Sequence, residues 1–257
     1  MGLLELNNVC MYFGGIKAID QLNLSLGKGE LVGLIGPNGA GKTTVFNVVT
    51  GVYKPTLGSV TFNGNRIDGR RPFVITQSGI ARTFQNIRLF GSLSVLDNVK
   101  IAYHFHARHG VASSILHAAR HFRGEAEITK RAMELLGIFS LTDRQHEMAK
   151  NLPYGEQRRL EIARALAAGP QLLLLDEPAA GMNAKESMDL VRLIGWIHNE
   201  FDLTILLIEH HMDVVMSICR RIHVLDYGRT IAEGTPQEIS ANPRVIEAYL
   251  GEEVEVC

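Results

Sequence analysis

The most definite chemistry in this chain lies in Gly36-Pro37-Asn38-Gly39-Ala40-Gly41-Lys42-Thr43-Thr44. Gly36 to Thr43 fit the spacing G-x-x-x-x-G-K-[ST]. In such a loop, glycines let successive backbone N–H groups turn inward around a phosphate, and the helix that follows adds roughly half a positive charge. Lys42 would then reach the β- and γ-phosphates of a nucleoside triphosphate, and Thr43 would ligate Mg²⁺. A second cluster closes the apolar run Leu172 to Leu175 with two carboxylates, Asp176 and Glu177. Ligands of open α/β sheets bind at the carboxyl ends of strands. Asp176, directly after the run, is read as the metal ligand, directly or through water. Glu177 is read as the base or orienter of an attacking water. These clusters predict binding of a nucleoside triphosphate with Mg²⁺ and leave kinases, GTPases and motor ATPases open.

The elements that must hold these residues can be read from the pattern of apolar positions. Residues 3–9 and 22–26 read as strands, the second from Leu22, Leu24 and Leu26 alternating with Asn23 and Ser25. Leu31 to Ile35 is a continuous apolar strand running into the glycine-rich loop, and Val45 to Thr50 continues as a short helix stopped by Gly51. Ser59 to Phe62 enters a tight hairpin at Asn63-Gly64, a pair that tolerates positive φ. From Leu96 to Ala168 strand signals fade, and Glu125 to Leu136 and Gln157 to Ala168 show helical spacing. Beyond it, Leu172 to Leu175, Thr204 to Ile208 and Ile222 to Leu225 are short strands separated by helices at Lys185 to His198 and Met212 to Ser217. Alternating strands and helices predict an α/β fold with a parallel sheet. No repeat or low-complexity linker interrupts the chain, so the helical stretch reads as nested within the rest.

The 257 residues are 46% hydrophobic and 21% charged, with 26 Lys+Arg against 27 Asp+Glu, which excludes wholesale disorder. A net charge of −1 gives no global field for a polyanion, and no nucleic-acid partner is expected. Cys10, Cys219 and Cys257 are odd in number and lack C-x-x-C spacing, which points away from a disulfide framework or a zinc cage and towards a reducing compartment. The longest apolar runs fall far short of the ~20 residues of a membrane helix. The first residues, Met1 to Leu6, lack a basic region followed by a long apolar stretch, so a cytoplasmic location is expected.

Between the two chemical clusters lies Leu152-Pro153-Tyr154-Gly155-Glu156-Gln157-Arg158-Arg159, and here the sequence resembles the ATP-binding-cassette (ABC) ATPases. Their signature Leu-Ser-Gly-Gly-Gln aligns with Leu152 to Glu156, and the family's other landmarks follow in order along essentially the whole chain. The resemblance implies Phe13 as the adenine-stacking aromatic, with Tyr12 its close rival. It implies Gln85 as a Mg²⁺ and water contact that senses a membrane partner. His210, ahead of its neighbour His211, becomes the γ-phosphate contact. The implied fold is α/β, a P-loop NTPase core with a mixed or parallel sheet, an N-terminal antiparallel β subdomain and a nested helical subdomain. Residues 1–95 and 169–240 would form the ATP-binding core, 96–168 the helical signature subdomain, and 241–257 a C-terminal helix and tail. The implied reaction is hydrolysis of ATP, with Glu177, His210 and Gln85 catalytic and Thr43, Gln85 and Asp176 on Mg²⁺. The ATP contacts would be Phe13, the loop Gly36, Pro37, Asn38, Gly39, Ala40, Gly41, Lys42, Thr43 and Thr44, and, from a second chain packed head to tail, Tyr154, Gly155 and Glu156.

This sequence departs from the family pattern in two places. Pro153 and Tyr154 replace the usual Ser and first Gly, which removes a hydroxyl and an N–H and predicts weaker ATP-driven closure of the chain in isolation. Asn183 replaces the usual Asp, and with Glu186 three residues later it also reads as a helix cap. A narrower resemblance, to the ATPase subunits of branched-chain amino acid importers, rests on Arg82 to Phe90, Asp176 to Asn183, Ile208-Glu209-His210 and the tail Asn242 to Gly251. Related urea or amide importers and the lipopolysaccharide-transport ATPase share features of it, and a soluble ABC ATPase is the other class considered. The importer reading implies two integral-membrane permease subunits, a second ATPase subunit of the same or a related chain, and indirectly a solute-binding protein. The chain would then sit peripherally on the cytoplasmic face of the inner membrane. Between Asn98 and Gly124 there is no acidic residue, while Lys100, Arg108, Arg120 and Arg123 join five histidines. That stretch reads either as a solvated helical face or as a surface for anionic headgroups or acidic loops of the membrane subunits.

Overall fold

Alternation of buried and exposed side chains divides the strands between two sheets in the computed structural model, which describes residues 2–104 and 118–253. The first sheet is antiparallel, in the order β2-β1-β4-β5: β1 Leu4–Phe13, β2 Ile16–Leu26, β4 Leu57–Phe62 and β5 Asn65–Arg66. Leu22, Leu24 and Leu26 are buried while Gln21, Asn23 and Ser25 are exposed, as their alternation predicts. Both long strands run further than the sequence pattern suggests. Register shifts between Leu6 and Val9 and between Val9 and Met11 change the phase of alternation, and Asn8 and Gln21 adopt positive φ. A bulge of this kind erases the period-two signal while the ladder continues.

The second sheet has the order β10-β9-β3-β8-β7-β6. Its parallel members are β3 Leu31–Ile35, β6 Ile80–Arg82, β7 Leu172–Asp176, β8 Thr204–Ile208 and β9 Arg221–Asp226, with β10 Arg229–Gly234 antiparallel on the edge. Every residue of β3, β7 and β8 is buried, because both faces of the sheet are covered. Leu34, Leu172, Leu174, Leu206 and Ile208 face one apolar layer with the antiparallel sheet and helix α1 (Lys42–Val49). Ile35, Leu173, Leu175, Ile205 and Leu207 face the other, against helices α6 (Ala184–Glu200) and α7 (Met212–Ile218).

Helix α2 (Pro72–Gln77) leads into β6, and α3 (Val95–His104), α4 (Ala118–Ile138) and α5 (Tyr154–Ala167) fall in the span predicted to be helical. Val95, Val99, Leu135, Leu136, Leu160 and Ala163 join these three to the second layer. Helices α8 (Pro236–Ser240) and α9 (Pro243–Glu253) finish the described chain, α8 opened by a reciprocal Thr235–Glu238 cap. The architecture is thus the α/β one expected, an antiparallel sheet stacked on a mainly parallel one. Four elements are absent from the sequence reading. β6 has three residues and α2 and α8 six and five, too short for a period to emerge. β10 is a half-exposed edge strand whose one signal is the Tyr227-Gly228 turn, both residues at positive φ. Of the basic stretch, Lys100 pairs with Glu125 at 3.0 Å; Arg108 and the side chains of Arg120 and Arg123 lie outside the described residues.

Candidate active site

The glycine-rich loop leaves β3 and turns into α1 under close pressure from neighbouring backbone. Gly36 has φ 146° and a Cβ there would stand 1.9 Å from the Leu225 carbonyl oxygen; Gly41, at φ 100°, would place one 2.4 Å from that of Ala18. No other residue type satisfies both the dihedral and the space. Gly41 is also the N-cap of α1 and brings no side chain to its first N–H groups, which stay available to an anion. Lys42 is buried and donates to the carbonyls of Gly36 at 2.6 Å and Pro37 at 2.7 Å, so an ammonium is held inside the curl of the loop. Asn38 to Thr44 line a cavity of about 410 Å³ whose remaining walls are Ile16, Lys17, Ala18, Gln85, Glu177, His210 and Tyr227.

The acidic wall comes from the carboxyl ends of adjacent parallel strands. β7 and β8 pair Asp176 with Ile208, so Glu177 and His210 emerge side by side. Glu177 sits at φ 48°, a left-handed conformation uncommon for a residue with a side chain, fixed by its N–H to Ile208 O at 2.9 Å. Its two oxygens are both engaged: Oε1 meets His210 Nε2 at 2.5 Å and Oε2 accepts from Gln85 Nε2 at 2.8 Å. One carboxylate is therefore gripped between an imidazole and an amide on the cavity wall. His211 does not line the cavity; its Nδ1 lies 3.3 Å from Glu209, so the geometry favours His210 of the two.

Asp176 is placed differently from Glu177. It is buried beneath the cavity, where Oδ2 accepts from Arg82 Nη2 at 2.7 Å, and it is not among the lining residues. Arg82 is itself held by Asn47 Oδ1 at 2.7 Å and by the faces of Phe46 and Phe84. Asp176 Oδ1 has no hydrogen-bond partner. An orphaned carboxylate oxygen together with the Thr43 hydroxyl and the Gln85 amide is an all-oxygen donor set of the kind a hard dication takes, so the residues present fit Mg²⁺. Among the described residues no cluster of three or more His, Cys, Asp or Glu could hold a metal by itself.

Several of the expected contacts stand apart from the cavity, Gly36 and Pro37 among them. Phe13 is 41% exposed at the end of β1, edge-on to Tyr53 at 5.2 Å, and does not line it; Ile16, Lys17 and Ala18 supply that rim. Tyr12, its rival, hydrogen-bonds Asp20 at 3.3 Å, and its hydroxyl is pushed up to about 12, first by the contact with Cys10 and then by burial and the nearby Asp20. Tyr154, Gly155 and Glu156 form the first turn of α5, start from Pro153 without a capping side chain, and do not line the cavity of their own chain. Asn183 accepts from Glu186 N at 3.0 Å while Glu186 accepts from Asn183 N at 3.1 Å, the reciprocal cap read as its alternative role. Sequence reasoning missed Arg82, and it missed Glu209, which is 1% exposed and accepts from the N–H groups of Ala179 at 2.8 Å and His210 at 3.2 Å. Arg-Thr-Phe-Gln and Ile-Glu-His contained both residues, but nothing local marks a charge as buried.

Comparison with known proteins places the chain in one group. A family model described as ABC transporter matches residues 19–180, and one described as branched-chain amino acid ATP-binding cassette transporter matches residues 229–255. The chain is 46% identical over 250 residues to the high-affinity branched-chain amino acid transport ATP-binding protein LivG of Salmonella typhimurium, covering 97% of this chain and 98% of that one. It superposes with a TM-score of 0.83 and 29% identity on an ATP-binding cassette of an ABC transporter in its ADP conformation, over 98% of this chain and 99% of that one. A dimeric cassette in a post-hydrolysis state bound to ADP and Pi gives a TM-score of 0.77 at 28% identity, over 91% and 98% of the two chains.

Proposed function

The chain belongs to the ATP-binding-cassette transporter family, and from that premise we propose that it is the ATP-hydrolysing subunit of an importer of branched-chain, hydrophobic amino acids. The observation that carries the catalytic half is the Glu177 carboxylate held between Gln85 and His210 on the wall of a cavity whose floor is the phosphate loop. The importer half is supported by likeness along the whole chain, the tail at 229–255 included.

In this reading the phosphates of ATP displace the Gly36 and Pro37 carbonyls from Lys42 and take the N–H groups of Asn38 to Thr44. Phe13, exposed beside the rim, stacks on the base. Thr43, Gln85 and Asp176 would hold Mg²⁺, which when bound supplies charge neutralisation at the β- and γ-phosphates. Glu177 accepts the proton of the attacking water, and His210 orients Glu177 and reaches the γ-phosphate. Tyr154, Gly155 and Glu156, remote from their own cavity, complete the cavity of a second ATPase subunit packed head to tail; the uncapped first turn of α5 suits a phosphate there. Moving such a dimer from about 1:99 to about 99:1 in favour of the closed form requires about 5.5 kcal/mol of differential binding, the role this reading gives to two sets of γ-phosphate contacts.

Residues 1–95 and 169–240 act as the nucleotide-binding body, 96–168 as the arm carrying the signature, and 241–257 as a C-terminal helix and tail. Among the described residues no helix is long and apolar enough to cross a membrane. In this reading the chain sits on the cytoplasmic face of the membrane, held there by two integral-membrane permease subunits. The experiment is recovery of the tagged chain from detergent-solubilised membranes with ATP and Mg²⁺, followed by reconstitution with the co-purifying proteins. Two polytopic membrane proteins, and ATP turnover stimulated by a leucine-loaded solute-binding protein, are the expected result. Recovery without membrane proteins, or stimulation only by an unrelated solute, would overturn the assignment.

A further inference from the structure

One buried ion pair has no place in the chemistry just described. Arg158 and Glu161 stand one turn apart on α5 at 0% and 1% exposure, joined at 2.9 Å. Apolar residues of similar volume in place of such a pair are often as stable or more so, so packing alone does not explain it. What the pair holds is backbone. Arg158 donates from Nη1 to Phe84 O at 2.6 Å and from Nη2 to Gln85 O at 2.7 Å. Glu161 Oε1 accepts from the N–H groups of Phe84 at 3.4 Å and Arg88 at 3.1 Å. The planar fork of a guanidinium suits two adjacent carbonyls, which a lysine cannot span. The segment so clamped carries Gln85, whose amide in turn donates to Glu177. At its other edge Arg158 Nη2 also reaches the Tyr154 hydroxyl at 3.1 Å, in the signature turn.

We propose that Arg158 and Glu161 are positioning residues for hydrolysis: from the signature helix they hold the backbone at 84–88 so that the Gln85 amide stays on Glu177. The inference rests on the ATPase reading above. It makes the signature turn and the hydrolytic carboxylate of one chain parts of a single hydrogen-bonded unit, so a shift of α5 is felt at Glu177. Nucleotide binding by the phosphate loop does not pass through this unit and is left alone by its loss.

The test replaces the pair without stranding a charge, as Arg158→Met with Glu161→Leu in the full-length chain, with and without Gln85→Ala. Phosphate release, ADP affinity and thermal midpoint are measured for each. The pair variant leaves the Phe84 and Gln85 carbonyls and the Phe84 and Arg88 N–H groups without these partners, so its thermal midpoint is expected to fall, by less than about 10 °C, while it binds ADP within about 2-fold of the unaltered chain and kcat falls at least about 10-fold. In the Gln85→Ala background the same replacement should cost less than about 2-fold more, because both changes break one link. Arg158→Lys should fail to restore kcat. Unchanged kcat, full additivity with Gln85→Ala, or loss of kcat in step with loss of ADP binding and stability would overturn the proposal. Absence of hydrolysis by the unaltered chain would remove the ATPase reading, and this inference with it.

Discussion

Replacing Glu177 by Gln tests the site at its centre with the least disturbance to its surroundings. The side chain keeps its shape, and both contacts can persist, since a Gln oxygen accepts from the Gln85 amide and a Gln N–H can face His210 Nε2 at the position now 2.5 Å from Glu177. Hydrogen bonds to a charged group contribute about 1.5–3 kcal/mol and neutral ones about 0.5–1.5, so with two such contacts the fold should lose no more than about 3 kcal/mol. The positive φ of residue 177 is unaffected, because Gln carries the same backbone restriction as Glu. What disappears is the proton acceptor. General-base catalysis is typically worth about 10²–10⁴-fold, which at 1.36 kcal/mol per decade is about 2.7–5.5 kcal/mol of barrier. The expectation is a kcat lowered by about that factor with ATP binding retained or tightened, since one negative charge leaves the wall that faces the phosphates. Steady-state phosphate release and equilibrium binding of a fluorescent ATP analogue, run on the same preparation, measure both. A kcat within about 5-fold of the unaltered chain would refute the role of Glu177, and parallel loss of nucleotide binding would refute the separation of binding from chemistry.

Two further outcomes follow from the fold. Asn183→Ala removes the reciprocal cap of α6 and should cost about 1 kcal/mol in chemical denaturation, whereas Asn183→Asp, which keeps the accepting oxygen, should cost only a few tenths; equal losses would show that the cap is not what Asn183 contributes. His223 is 1% exposed, and burial holds its imidazole below the usual 6.5, with nearby Arg221 acting the same way and Glu233 opposing. The unfolded chain therefore takes up this proton near 6.5 and the folded chain only at lower pH, so the contribution is complete above about 6.5 and is lost as pH falls from there towards the folded value. His223→Gln should flatten the decline of the denaturation midpoint between about pH 7.5 and 5.5; an unchanged slope would exclude His223 as its source.

The glycine-rich loop was legible in the sequence because the function proposed for it is local. A phosphate there would meet the N–H groups of consecutive residues, so Gly36, Gly41, Lys42 and Thr43 have to be neighbours in the chain. The continuous apolar runs of β3, β7 and β8 were legible for a similar reason, since a strand covered on both faces has no polar positions to confuse it with anything else. The Asn183 cap needs partners only three residues apart, and it too was readable. Strand ends near Asn8 and Gln21 were not, because a bulge shifts the side-chain phase on which the reading depends.

The contacts that make a site out of these parts span the chain instead. Gln85 reaches Glu177 across 92 residues and Arg82 reaches Asp176 across 94, and both follow from three residues of β6 pairing in parallel with β7. Arg158 meets Gln85 across 73 residues, and only the packing of α5 brings it there. Sequence by itself determined the residue types, the local loop and the order of the longer elements. Tertiary structure decided which carboxylate faces the cavity and which lies under it bound to an arginine. Burial and partnership are properties of neighbours in space, and a hydrogen bond between strands leaves no period in the chain that carries it.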